Sequence, residues 1–139
     1  MSLFKFRKDL SADGMFRIVR DAFGKIADHR SRPQISLVDN LLSGLAMFFL
    51  KEPSLRSFDS HRDDVNTRKL FGIDRVPSDT TLRETLDWVD PEQLRPVFKE
   101  LFRVAQRGKV LEKFLFRGKY YILSIDGTGY FSSQKIHCP

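Results

Sequence analysis

The sequence predicts a mainly α-helical chain with a β-hairpin near its carboxyl end. Apolar residues recur every three or four positions over most of residues 13–107, which is typical of amphipathic helices. Helix-capping residues precede several of these stretches. The period changes at Tyr120, where aromatic and branched residues run to Ile125 and indicate a strand.

The first predicted helix covers residues 13–28, with Asp13 as its expected N-cap. The second begins at Ser36, where Asp39 follows at the spacing of a capping box, and it ends before Pro53. Its apolar face is wide enough to predict a central helix covered by neighbours. The expected buried positions are Phe16, Val19, Phe23 and Ile26 in the first helix, and Leu37, Val38, Leu41, Leu42, Leu45, Phe48 and Phe49 in the second.

Residues 54–76 give shorter helical signals that stop at Gly72. The next helix is predicted to start at Thr81, which has Glu84 at capping-box spacing. A single turn is expected at 91–95, followed by a helix from Pro96 to Arg107 that Gly108 ends. The predicted buried stripe of that last helix consists of Phe98, Leu101, Phe102 and Ala105.

Charge is distributed unevenly along this basic chain, which has a net charge of +6. Residues 36–90 carry a net −3, whereas the segments before and after carry +4 and +5. Basic residues recur every fourth position from Arg95 to Arg107, which places them on one helical face, expected to lie opposite the buried stripe. Such a face favours contact with DNA phosphates, and the alternative is a solvated face balanced by Glu92 and Glu100. The residues expected to contact DNA are Arg83, Arg95, Lys99, Arg103, Arg107, Lys109 and Lys113.

No membrane partner is expected, because the most apolar stretch, residues 37–50, is shorter than the roughly twenty residues of a membrane span. The single cysteine, Cys138, suits a reducing compartment, so we expect a cytoplasmic protein. His137 and Cys138 are adjacent, and we assign them no metal role. No nucleotide loop is indicated, and no small-molecule substrate is expected.

Several segments together resemble DDE-class transposases of bacterial insertion sequences. The block from Tyr121 to Ser133, with Asp126-Gly127-Thr128-Gly129 at its centre, is similar to the first catalytic block of these enzymes. The segments 23–30, 77–83 and 89–96 are similar to their helical amino-terminal region, and the likeness runs from about residue 15 to the last residue.

The resemblance implies two parts. Residues 1–117 would form a helical, DNA-contacting domain, and residues 118–139 the first strands of an incomplete ribonuclease-H-like α/β catalytic domain. It also implies that Asp126, after the first core strand, is a catalytic residue and a ligand of Mg²⁺ in the full-length enzyme, together with a second Asp and a Glu. The alternative for Asp126-Gly127 is an ordinary hairpin turn, since Asp-Gly is common there.

The function expected from the resemblance is that of a truncated transposase. No residue in the sequence matches the second Asp or the Glu, so we expect no tight metal binding and no cutting or joining of DNA by this chain alone. Its expected partners are transposon-end DNA and either a second copy of itself or the intact transposase. The alternatives are a non-catalytic DNA-binding or inhibitory interaction module derived from a transposase, and an unstable relic without activity.

Overall fold

The computed structural model describes residues 8–123, and within them the predicted helical architecture is confirmed. Six α-helices are present there: α1 (Ala12–Phe23), α2 (Leu37–Phe49), α3 (Leu55–Asp59), α4 (Val65–Phe71), α5 (Asp79–Trp88) and α6 (Arg95–Arg107). Two short 3₁₀ turns, Pro91–Gln93 and Leu111–Phe114, flank α6. None of the helices in this range combines the length and apolarity needed to cross a membrane.

Side-chain caps define where most helices begin. Ser36 caps α2 as predicted, accepting a hydrogen bond from the Asp39 amide at 3.0 Å. Two other predicted caps are wrong. Ser11 caps α1, while Asp13 lies inside its first turn, where a negative charge suits the helix dipole. Ser78 caps α5, accepting from the Thr81 amide at 3.2 Å, so that helix starts before the predicted Thr81.

The packed core has α2 at its centre, with α1 and α5 against it, and α3 closes over α5. This agrees with the prediction of a covered central helix. Phe48 and Phe49, however, lie at the exposed carboxyl end of α2, so their predicted burial is wrong. Core residues come from every helix and from the turn after α4: Val19, Phe23, Leu37, Leu41, Leu42, Ala46, Phe58, Phe71, Ile73, Val76, Leu82 and Val97.

One buried carboxylate joins three parts of this core. Asp39, on α2 and 4% exposed, accepts a hydrogen bond from the Asp74 amide at 3.0 Å. Arg20 of α1 lies 4.0 Å from the Asp39 carboxylate and 3.1 Å from that of Asp74. Because buried polar groups are costly without partners, these contacts fix the loop after α4 against α1 and α2.

A short antiparallel hairpin follows α6. Strand β1 (Leu115–Phe116) pairs with β2 (Tyr120–Tyr121), so that Leu115 faces Tyr121 and Phe116 faces Tyr120. Three residues, 117–119, connect the strands; Arg117 and Gly118 both have positive φ, 53° and 66°, and the Lys119 amide donates to the Phe116 carbonyl at 3.2 Å. The predicted strand at Tyr120 is present, but it ends at Tyr121 and does not include Ile122 and Leu123, which are exposed, so its predicted central position in a sheet is wrong for the described residues. Its partner β1 was not predicted.

The predicted return strand and the turn around Asp126 lie outside the described residues. Within residues 8–123 the only sheet is this two-stranded one. The ribonuclease-H-like core therefore stays a prediction. The predicted boundary between residues 117 and 118 falls between β1 and β2 and stays a prediction.

Candidate nucleic-acid interface

Helix α6 buries one side and exposes the other. Val97 and Val104, 3% and 7% exposed, face the core, and α6 packs mainly against α1. The predicted burial of Phe98 and Phe102 is wrong, because these rings are 65% and 54% exposed. Val97 and Val104 lie on one side of the helix. Because each residue adds about 100° around the helix axis, Phe98 and Phe102 project from a different side.

The basic residues of α6 lie on its solvent side. Arg95, Lys99, Arg103 and Arg107 are exposed, and we call these four residues the α6 stripe. Successive members are about 6 Å apart along the helix axis. Phosphates on one strand of B-DNA recur about every 3.4 Å along its axis. Flexible side chains at the α6 spacing can therefore reach several phosphates of one strand.

The predicted opposition between this stripe and the phenylalanines is also wrong. Phe102 lies three residues after Lys99, which places the two side chains only about 60° apart around the helix. The solvent side of α6 thus carries cations and exposed aromatic rings together.

Two members of the stripe are engaged in local ion pairs. Arg95 lies 2.7 Å from Glu92, and Arg103 donates two hydrogen bonds to Glu100. The hydrogen bond from Arg103 holds the pKa of the Glu100 carboxyl below its usual value. The predicted balancing of the face by Glu92 and Glu100 is confirmed. Such exposed pairs are weak, and a phosphate can compete with them.

The other stripe residues are free of such pairs. In the part of the chain that the structure describes, Lys99 and Arg107 form no ion pair. Lys113, on the turn after α6, forms none within residues 8–123 either, while Lys109 lies 3.5 Å from Glu112. Residues 95–121 hold eight Lys and Arg and only two acids, a net charge of +6. This surface therefore attracts anions.

Arg83 is not part of this surface. It is exposed on α5, which packs against α2 and α3, whereas α6 packs against α1. The structure thus brings together six of the seven predicted DNA-contacting residues, on α6 and the turn that follows, and leaves Arg83 on another helix.

The described motif segments on which the resemblance rests have clear structural roles. Arg30 pairs with Asp28 at 2.7 Å and donates to Thr85 on α5 and to the Ile35 carbonyl, which clamps the loop between α1 and α2. The hydrogen bond from Arg30 lowers the pKa of the Asp28 carboxyl. Ser78 caps α5, and Asp90 caps the turn before α6.

The hairpin after α6 carries an aromatic pair that the sequence reading missed. Phe116 and Tyr120 face each other across the two strands, and their side chains lie on the same side of the hairpin. The Arg117 guanidinium carbon lies 5.3 Å from the centre of the Phe116 ring, and the Lys119 amine lies 5.6 Å from that of Tyr120. The signal available in the sequence was the alternation of aromatic and basic residues from Lys113 to Tyr121.

The predicted metal ligand Asp126 lies outside the described residues, as do His137 and Cys138. Within residues 8–123 no three His, Cys, Asp or Glu side chains converge in a way that suits a metal ion. The Mg²⁺ site that the resemblance implies is centred on Asp126, outside these residues, and it stays a prediction.

Comparison of the sequence and the fold with protein-family models, with curated proteins and with solved structures found no match.

Proposed function

We propose that this chain contacts DNA through the α6 stripe and belongs to a transposase of the DDE class. The contact is carried by one observation. Lys99 and Arg107 project to solvent without an ion-pair partner among residues 8–123, on a helix whose other side is anchored in the core. A rigid helix presents cations to phosphates at a smaller entropic cost than a loop.

The proposed contact is electrostatic and insensitive to sequence. Lys and Arg that neutralise phosphates release counterions, so affinity falls steeply with salt. Recognition of transposon ends needs contacts to base edges in addition to phosphates, and the proposed contact of the α6 stripe is with phosphates alone. In the full-length enzyme of this proposal, Asp126 is a Mg²⁺ ligand, and its partner carboxylates come from elsewhere.

A second candidate is a non-catalytic interaction module. The exposure of Phe98 and Phe102 favours it, because exposed aromatic rings beside cations are common in protein interfaces. The partner would be a second copy or an intact transposase. Sedimentation of the protein used for DNA titration, alone and with intact transposase, distinguishes this candidate from the DNA proposal, because the candidate requires a protein complex at micromolar concentration.

The DNA proposal is tested with a charge-reversal pair. Fluorescence anisotropy with a labelled duplex, repeated from 50 to 300 mM salt, measures affinity and its salt slope for the wild type and for Lys99→Glu/Arg107→Glu. We expect the variant to lose about tenfold or more in affinity, and the log–log salt slope to fall in magnitude by about 2, since two phosphate contacts disappear.

The matched control is Lys51→Glu/Arg75→Glu, which makes the same change in net charge at two exposed cations of the acidic middle segment. Its loss is expected to stay within about threefold, from the change in overall field. Equal losses of affinity in the two variants would show that net charge, and not the α6 stripe, determines binding. Absence of duplex binding by the wild type at 50 mM salt would end the proposal.

A further inference from the structure

The tip of the hairpin presents two aromatic rings and two cations in one place. Phe116 and Tyr120 are 51% and 57% exposed, although they stand side by side on one side of the hairpin. Arg117 and Lys119, from the turn between them, each lie near one of the rings. We call these four residues the hairpin tip.

Two exposed rings at one place on the surface favour the binding of a partner. Aromatic side chains carry large apolar surfaces, and leaving two of them in water gives up the free energy that burial would supply. The two cations place positive charge within reach of whatever stacks on the rings. Residues 109–121 carry four cations and one acid, so an anionic partner is favoured.

We propose that the hairpin tip binds single-stranded DNA, with bases stacked on Phe116 and Tyr120 and the adjoining phosphates held by Arg117 and Lys119. Single strands present both a flat π-face and a charged backbone, and proteins that bind them without sequence preference combine aromatic platforms with cations. Duplex DNA keeps its base faces stacked and offers the tip only phosphates. The proposal rests on the DNA contact proposed above and adds a preference for unpaired nucleotides.

The backbone of the tip supports this assignment. Arg117 occupies the left-handed region at φ 53°, which a non-glycine residue adopts at some cost, and Gly118 follows at φ 66°. This connection holds the two strands in a register that places Phe116 and Tyr120 opposite each other in neighbouring strands. The backbone positions from which the two rings project are therefore fixed, which lowers the entropic cost of stacking.

The experiment titrates the full chain with a labelled ten-nucleotide single strand and with a labelled duplex in the same buffer. In Phe116→Ala/Tyr120→Ala we expect the single-strand Kd to rise about tenfold or more, since stacking contributes about 1–3 kcal/mol per base, while the duplex Kd changes less than about twofold. Phe116→Tyr/Tyr120→Phe keeps both rings and is expected to bind like the wild type. Arg117→Ala/Lys119→Ala is expected to weaken binding of both ligands and to make the affinity less dependent on salt.

Trp88→Ala is the matched control. Trp88 is the most exposed aromatic side chain of the described residues, at 85%, but it lies in the acidic middle segment beside a cleft lined by Glu84 and Asp90. Its removal is expected to leave single-strand affinity unchanged. All variants change exposed side chains, and circular dichroism confirms that each is folded.

The outcomes separate the two proposals. Single-strand binding that survives in Phe116→Ala/Tyr120→Ala, together with intact duplex binding, overturns the hairpin-tip assignment and leaves the α6 contact standing. An equal loss in Trp88→Ala also overturns it. A wild type that binds neither ligand refutes both.

Discussion

Phenylalanine contributes to the core in one region of this molecule and not in the other. In residues 12–88, Phe58 and Phe71 are 1% and 2% exposed and lie in a core that several helices share, although Phe48 and Phe49 at the end of α2 are exposed. In residues 95–121, Phe98, Phe102 and Phe114 are 65%, 54% and 71% exposed, and no phenylalanine is buried. Buried rings thus help to hold the first region together, whereas those of the second face water.

Charge follows the same division. Residues 12–88 hold twelve Lys and Arg and twelve acids, a net charge of zero, while residues 95–121 carry +6. Apolar surface without charge favours burial, whereas rings interleaved with cations favour an anionic partner. The first region therefore contains most of the core, and the second has the surface through which we propose that the chain binds DNA.

The largest expected effect contrasts two phenylalanines. Phe58→Ala leaves a cavity in the core and is expected to lower the free energy of unfolding by about 3–5 kcal/mol. Phe98→Ala removes a ring that is already mostly in water and is expected to change it by less than about 0.5 kcal/mol. Urea unfolding followed by circular dichroism measures both.

Phe102→Ala serves as a second exposed control on the same helix. If Phe98→Ala proved as costly as Phe58→Ala, the exposed side of α6 would be packed in solution, and the division between the two regions would be wrong.

Local chemistry made much of the fold predictable. Ser36, Asp90 and Gly108 mark the bounds of α2, the turn before α6 and the end of α6 within about a residue, because each acts on backbone groups nearby in sequence. Competing caps were harder to separate. Ser78 and Thr81 both suit a helix start, and the choice depends on how residues 77–79 enter the core.

Which side of α6 is buried could not be predicted from its own sequence. The helix has two apolar sets, one with Val97 and Val104 and the other with Phe98 and Phe102. Hydrophobicity favours the larger rings, whereas close packing against α1 selects the smaller valines. The common face of the α6 stripe was predictable, because helical periodicity fixes it. The pairing of Phe116 with Tyr120 was not, because it depends on a strand register that the turn sets.

A smaller effect tests how the two regions start their helices. Helix α5 has a side-chain cap at Ser78, while Leu94, at the N-cap position of α6, provides none. Ser78→Ala is expected to cost about 1 kcal/mol of stability, because the Thr81 amide loses its acceptor. Thermal and urea unfolding check this value. Glu84→Ala, which removes the capping box predicted from the sequence, should leave stability nearly unchanged. A loss equal to that of Ser78→Ala would show that Thr81 and Glu84 cap the helix after all.

The smallest effect concerns acid, and it compares a carboxylate of each region. Glu52 accepts hydrogen bonds from the Ser57 hydroxyl at 2.5 Å and from His61 at 2.7 Å, and the first of these contributes most to lowering its pKa below the usual 4.5. Glu100 has its pKa lowered by its exposed partner Arg103. A carboxyl whose pKa is lower in the folded state adds stability above its unfolded value, and loses it as the pH falls through the folded value.

Both contributions are therefore present at pH 6 and fade below about pH 4.5. We expect the urea midpoint of Ser57→Ala to fall less than that of the wild type between pH 6 and pH 3.5. In 1 M salt the screening length is about 3 Å. There we expect Glu100→Gln and the wild type to show the same change in urea midpoint between the two pH values, while Ser57→Ala still differs from the wild type. The hydroxyl–carboxylate bond belongs to the packed region and the Glu100–Arg103 pair to the solvated stripe. Equal salt sensitivity of the two variants would show that the regions do not differ in solvation as their burial indicates.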